Sequence, residues 1–84
     1  MSPTFKKERG YTFKIYSNEE ERIHIHVMKD DDDEAKFWLE PHIELAHNYG
    51  FSSQEINEIS KIIESYANDF REKYKQHIGK RVDD

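Results

Sequence analysis

Apolar and polar residues alternate along three short segments in the first half of the chain. The segments are Tyr11–Tyr16, Ile23–Met28 and Ala35–Leu39, and they are rich in β-branched and aromatic residues. Because successive side chains of a strand point to opposite faces of a sheet, this period of two predicts three strands. A fourth segment, Ile43–Ala46, fits either a short strand or one helical turn, and its alternation favours the strand.

After Gly50 the apolar residues change to three- and four-residue steps, which predicts one long helix. Ser52 and Glu55 form the capping box of a helix start, and Phe51 and Ile56 stand at the positions of a hydrophobic staple. Gly79 stands where a helix commonly ends. The predicted apolar stripe consists of Ile56, Ile59, Ile63, Tyr66, Phe70, Tyr74 and Ile78.

These elements predict an α+β fold, in which an antiparallel three- to four-stranded meander sheet packs on one long C-terminal helix. With 84 residues the chain fits a single domain, which we place at residues 1–79 and follow with a frayed tail at 80–84. Short connections favour antiparallel pairing of neighbouring strands. The predicted core face of the sheet consists of Tyr11, Phe13, Ile15, Ile23, Ile25, Val27, Ala35, Phe37 and Leu39.

The opposite face of the predicted sheet has a different composition. It combines two imidazoles with aromatic, methionine and lysine side chains, which is typical of an interaction surface. Since a single helix covers only one face, we expect this face to be uncovered, and an ordinary solvated face is the alternative. The first strand, as an edge, is a second place where another chain could pair. The predicted interaction face consists of Lys14, Tyr16, His24, His26, Met28, Lys36 and Trp38.

Composition restricts the chemistry of the chain. It has no cysteine, which excludes disulfides and thiolate metal sites. The formal net charge is −5, from 18 acidic and 13 basic residues, and a negative chain does not attract nucleic acid as a whole. No segment is apolar enough to predict a membrane span, and no signal peptide is recognisable, so we expect a cytoplasmic protein.

His24 and His26 support two chemical alternatives. Imidazoles exchange protons near neutral pH, so the pair could perform acid–base catalysis on RNA in a small ribonuclease toxin, with neighbouring lysines holding the phosphate. Two histidines at this spacing could also bind zinc or another divalent metal, with Glu40, His42 or His47 as further ligands. Because the lysines disfavour a cation, we expect no cofactor.

Several runs of the chain together resemble a bacterial family called domain of unknown function 4160. They are Gly10–Asn18, His24–Val27, Glu34–Pro41 and Gly50–Ser52, and the resemblance extends to about Gly79. Members commonly have prolines just before the first histidine, where this chain has Glu-Arg-Ile. The resemblance implies a small cytoplasmic prokaryotic protein, often encoded beside another small protein in an arrangement like a toxin–antitoxin operon.

Taken with the residues, this resemblance favours a protein–protein interaction module that belongs to a toxin–antitoxin-like or regulatory pair. The expected partner is a protein encoded nearby, or a second copy of the chain. The alternatives are the ribonuclease toxin, which would make the chain an enzyme, and the His-x-His metal-binding protein.

Overall fold

The computed structural model of this protein describes the backbone of residues 4–15, 22–30 and 32–83, and the side chains of residues 6–15, 22–30 and 32–76. Five strands precede one helix: β1 (Thr4–Glu8), β2 (Tyr11–Lys14), β3 (His24–Lys29), β4 (Asp33–Trp38), β5 (Glu44–Tyr49) and α1 (Ser53–Asp83). The strands form one antiparallel sheet in the order β1-β2-β3-β4-β5. The predicted α+β meander with a C-terminal helix is confirmed, but the predicted number of three to four strands is wrong.

The additional strand is β1, which pairs with β2 through a two-residue hairpin turn. Glu8 lies opposite Tyr11, and the turn residues Arg9 and Gly10 both have positive φ, 54° and 86°. Two positive φ angles give the turn the backbone twist that closes a tight hairpin. The strand at Tyr11 is therefore an interior strand, and the prediction that it forms an edge is wrong.

The favoured strand after Pro41 is confirmed as β5, and it contains a bulge. Lys36 of β4 pairs with His47, whereas Phe37 pairs with Leu45, so Ala46 is one extra residue on β5. A bulge changes which face the residues on either side of it occupy. Leu45 thus shares the face of Phe37, and His47 shares the opposite face with Lys36.

The core lies between the predicted apolar face of the sheet and the helix. Ile59, Ile63 and Phe70 of α1 are fully buried, and Phe70 stacks on Phe13 of β2 with ring centroids 5.5 Å apart. Of the sheet residues predicted for this face, all are buried except Ile23, which is half-buried and packs against the cluster. The side-chain parity inferred from the sequence is therefore correct on this face.

The helix begins at the predicted capping box. The Glu55 backbone N–H donates to Ser52 Oγ at 3.1 Å, and the Ser52 N–H donates to Glu55 Oε1 at 2.9 Å. This backbone donor holds the pKa of the Glu55 carboxyl below its usual value. Among the described residues, no helix combines the length and the apolar character needed to cross a membrane.

The far end of the helix differs from the prediction. It continues through Gly79 to Asp83, so the expected stop at Gly79 is wrong. A glycine inside a helix costs only about 1 kcal/mol, and the Lys80 and Arg81 that follow are good helix formers. Tyr66, halfway along, departs from helical geometry with φ −116° and ψ 15°, so α1 consists of two helical segments joined at a kink.

Candidate functional site

The strand register brings most of the predicted interaction face together. Lys14, His26, Lys36 and His47 form one row across β2, β3, β4 and β5. In the next row His24 lies opposite Trp38, which lies opposite Glu44, and in a third Met28 lies between Thr12 and Glu34. The predicted grouping of these residues on one face is therefore correct. Tyr16, also predicted there, lies outside the described residues.

The predicted exposure of this face is wrong at its centre. His24 is 0% exposed, His26 6% and Lys36 8%. The reason lies partly in the helix: the Tyr74 ring lies 5.6 Å from the His24 ring, whereas Phe70, one turn earlier, stacks on Phe13 of the opposite face. Near the start of β3 the helix thus contacts residues of both faces of the sheet.

His24 is part of a packed aromatic cluster. Its Nδ1 lies 2.7 Å from the backbone carbonyl oxygen of Arg22, so Nδ1–H donates this bond, since a carbonyl only accepts. Its ring makes edge contacts with those of His26 at 5.3 Å and Trp38 at 5.9 Å. A side chain without exposed surface cannot exchange protons directly with a substrate in solution, so this geometry favours a packing role for His24.

His26 makes a polar contact on the same face and stands between two lysines. His26 Nδ1 lies 3.2 Å from Glu34 Oε2, and His26 stands between Lys14 and Lys36 in the sheet register. The carboxylate beside the imidazole satisfies a buried polar group that would otherwise be costly to desolvate. The lysines and the histidine are thus neighbours, as expected, but the geometry resembles a buried polar contact more than an open catalytic surface.

Two cationic side chains contact the Trp38 ring. The Arg22 guanidinium is 4.3 Å and the Lys36 ammonium 4.4 Å from the Trp38 ring, both in cation–π range. Arg22 also donates from Nε to the Glu40 carbonyl oxygen at 3.0 Å and pairs with Glu44 at 3.6 Å. These contacts link the residues before β3 to the start of β5.

The proposed metal ligands do not converge in the described part of the structure. Among its histidine and acidic residues, no group of three or more is arranged to hold an ion. His47 pairs with Lys36, so one whole strand separates it from His26, about 9–10 Å at the usual strand spacing. The register therefore separates two of the candidate ligands.

The most exposed apolar surface lies on β5, which the sequence did not single out. Among the described side chains, the large apolar residues that are exposed are Leu45, at 40%, and Tyr49, at 61%. β5 is an edge strand of the sheet. Within the described ranges, no strand pairs with its outer side. The available signal was the alternation of Ile43–Ala46, but sequence alone does not reveal which strand becomes the edge.

Fold and surface together define a small α+β protein with a packed histidine face and an open sheet edge at β5. A family model described as Domain of unknown function (DUF4160) matches residues 10–75. Because this match spans most of the chain, the protein belongs to that family. No curated protein and no solved structure matches the chain.

Proposed function

We propose that this protein is a protein–protein interaction module that binds another polypeptide by strand addition at β5. In this mode an extended segment pairs with a free sheet edge through main-chain hydrogen bonds, and flanking side chains provide specificity. The observation that carries this assignment is the position of Leu45 and Tyr49, the two exposed large apolar residues, on an edge strand.

The two residues lie on opposite faces of the sheet. Leu45 pairs with Phe37 on the core face, and Tyr49 pairs with Glu34 on the other face. A partner that docked flat on one face would cover only one of them. A strand added beside β5 would contact both, which is why strand addition fits this surface better than docking on a face.

The sequence of β5 is also permissive for pairing. Natural proteins block free edges with lysine, proline or bulges. Strand β5, with the sequence Glu-Leu-Ala-His-Asn-Tyr, has neither lysine nor proline, so of these three devices it carries only the bulge, at Ala46. Its one formal charge, on Glu44, pairs with Arg22.

The interaction module is preferred to the ribonuclease alternative because of the packing of the histidines. Acid–base catalysis needs a ring that a substrate can reach, and His24 has no exposed surface. Participation in a toxin–antitoxin-like or regulatory pair, the expectation drawn from the family resemblance, remains part of this proposal.

The test is co-expression with the protein encoded beside this chain's gene, followed by size-exclusion chromatography with light scattering. Each chain is also measured alone. The chain carrying Leu45→Glu and Tyr49→Glu should lose binding to a polypeptide, because two carboxylates would flank the added strand. A matched control with Gln54→Glu and Gln76→Glu adds the same charge on exposed helix positions and should bind normally.

Circular dichroism checks that both double variants are folded. If the β5 variant is folded and still binds as tightly as the control, β5 is not the docking edge. If the wild-type chain associates with neither its neighbour nor itself, the interaction function is wrong.

A further inference from the structure

We infer that the strand which adds to β5 is the β5 strand of a second copy of this chain, paired antiparallel about a two-fold axis. This step rests on the proposed function, because it names the polypeptide that occupies the edge. A two-fold arrangement uses the same surface on both copies, so β5 must be complementary to itself.

The faces of β5 match when the strand pairs with itself in one register. Residues directly opposite each other in an antiparallel pair share a face. The bulge leaves Leu45 and Asn48 on the core face, and Glu44 and Tyr49 on the other. An axis between Ala46 and His47 places Leu45 opposite Asn48 of the second copy and Glu44 opposite its Tyr49, so both faces remain continuous.

Charge favours this antiparallel orientation over the parallel one. Glu44 is the only formally charged residue of β5. In the antiparallel pair the two Glu44 residues stand at opposite ends, about 17 Å apart at 3.4 Å per residue. Each carboxylate then faces the Tyr49 hydroxyl of the other copy, which can donate to it. A parallel pair would place the two carboxylates side by side.

The acidic turn at Asp32 and Asp33, where β4 begins, leads to the same orientation. Asp33 lies against Gly50, so this turn adjoins the Tyr49 end of β5. Asp32 stands beside it in the chain. Parallel pairing would bring the acidic turns of both copies together, whereas antiparallel pairing keeps them at opposite ends of the shared strands.

The expected dimer is weak. Six residues per strand provide a smaller contact than the roughly 1,200–2,000 Å² of a stable interface, which suggests micromolar rather than nanomolar dissociation. Strand pairing covers Leu45 and Tyr49 on both copies. Association must therefore be measured at concentrations of tens to hundreds of micromolar.

Cysteine crosslinking tests the register, and the natural chain has no cysteine to interfere. With Glu44→Cys and Tyr49→Cys together, each new thiol lies opposite one in the second copy, so mild oxidation should give a covalent dimer. Either single substitution leaves the two thiols about 17 Å apart and should crosslink no more than an exposed Gln54→Cys control. Efficient crosslinking of Glu44→Cys alone would overturn the antiparallel orientation.

Charge substitutions at Tyr49 provide an independent measurement in the chain without cysteine. Tyr49→Glu places a carboxylate opposite Glu44 of the other copy, and this happens twice in each dimer. The substitution should therefore raise the dissociation constant roughly tenfold in sedimentation equilibrium. Tyr49→Lys instead faces Glu44 of the second copy and should leave the constant within about threefold of wild type. Equal weakening by both substitutions would contradict this register.

The outcomes separate the dimer from the broader function. A wild-type chain that stays monomeric at several hundred micromolar, yet binds its neighbour through β5, overturns the dimer and preserves the proposed function. A monomer that binds nothing through β5 overturns both. A dimer that is insensitive to Tyr49→Glu and to the paired cysteines uses another surface, and the inference is wrong.

Discussion

The two edge strands of the sheet show how similar backbone positions acquire different surfaces. Strand β1 is tied to the helix: Tyr66 donates its hydroxyl to Glu8 at 3.0 Å, and the Lys6 ammonium lies 4.1 Å from the Tyr66 ring. Its exposed side chain at Lys7 is charged. A charged edge that is linked to a helix resists the addition of another strand.

Strand β5, at the other edge, has a different surface: it contains no lysine, and its one formal charge, on Glu44, is paired with Arg22. Its exposed large apolar side chains are Leu45 and Tyr49, and its contacts with the rest of the molecule, besides β4, include the exposed Arg22–Glu44 ion pair. The contrast teaches that an edge becomes a candidate docking site through its side chains and not through its free backbone alone. The substitutions below test whether side-chain contacts stabilise the position of β1, and whether the backbone conformation at its end stabilises the position of β5.

The largest effect is expected at the glycine that ends β5. Gly50 has φ +105°, and a Cβ there would overlap the Asp33 carboxylate and lie 3.5 Å from the Asp33 Cα. Backbone strain at this φ, together with the shift that the Asp33 side chain must make, should make Gly50→Ala cost about 3 kcal/mol of unfolding free energy in urea denaturation.

Gly10→Ala at the turn of the β1 hairpin is the matched control. It also has positive φ, +86°, but the nearest atom to a Cβ is the Lys29 Cε at 4.0 Å. Only backbone strain remains, so this substitution should cost about 1 kcal/mol. Equal costs at the two glycines would show that the close approach of Asp33 to Gly50 adds nothing to the cost of a side chain at that position.

The next effect concerns alkaline pH and the β1–β2 side of the sheet. Burial, and then the hydrogen bond to Glu58 at 2.8 Å, raise the pKa of the Tyr11 phenol to about 12. An unfolded tyrosine ionises near pH 10, so the folded state favours the protonated form. The resulting stability is complete below pH 10 and is lost as the pH rises from 10 to 12.

The difference between the folded and unfolded pKa values of Tyr11 corresponds to about 2.5 kcal/mol of unfolding free energy. Urea denaturation of the wild type and of Tyr11→Phe, at pH 9 and pH 12, isolates this contribution, because the other titrating groups are common to both chains. The wild type should lose more stability than the variant over this interval. Parallel losses would mean that Tyr11 ionises normally in the folded chain.

Sequence patterns predicted the strands β2 to β4 and the helix start because these depend on local periodicity and on capping chemistry. Phe13 and Ile25 alternate with polar residues, and Ser52 precedes Glu55 by the required three residues. Strand β1 was missed because Lys6, Lys7 and Glu8 hide any alternation. The Arg9-Gly10 turn was the signal that could have revealed it.

The burial of the histidines could not be predicted from local sequence patterns. The alternation of side chains along the strand correctly placed His24 and His26 on the face opposite Ile25. This alternation carries no information about what packs on that face. The contact between Tyr74 and His24 joins residues 50 positions apart and depends on the path of a kinked helix. The exposure of β5 is likewise decided by the order of the strands and by the bulge at Ala46.

A smaller effect is expected where β1 meets the helix. Tyr66→Phe removes the hydroxyl that donates to Glu8 and should lower the unfolding free energy by about 1.5 kcal/mol, the contribution of a partly buried hydrogen bond to a charged group. Hydrogen exchange should accelerate at the β1 amides and remain unchanged in β5. Faster exchange in both edges would show that this contact stabilises the sheet as a whole and not β1 in particular.

The smallest effect is expected from the charge on β5 itself. Glu44→Gln removes the ion pair with Arg22, whose side chain is 43% exposed, but keeps the stacking of Arg22 on Trp38. Exposed pairs contribute little, so we expect a loss of about 0.3 kcal/mol that disappears in 1 M salt. Glu8→Gln on β1 alters the half-buried bond to Tyr66 and should cost more, with less response to salt. If Glu44→Gln cost as much as Glu8→Gln, side-chain contacts would hold both edges alike, and the contrast between them would rest on apolar exposure alone.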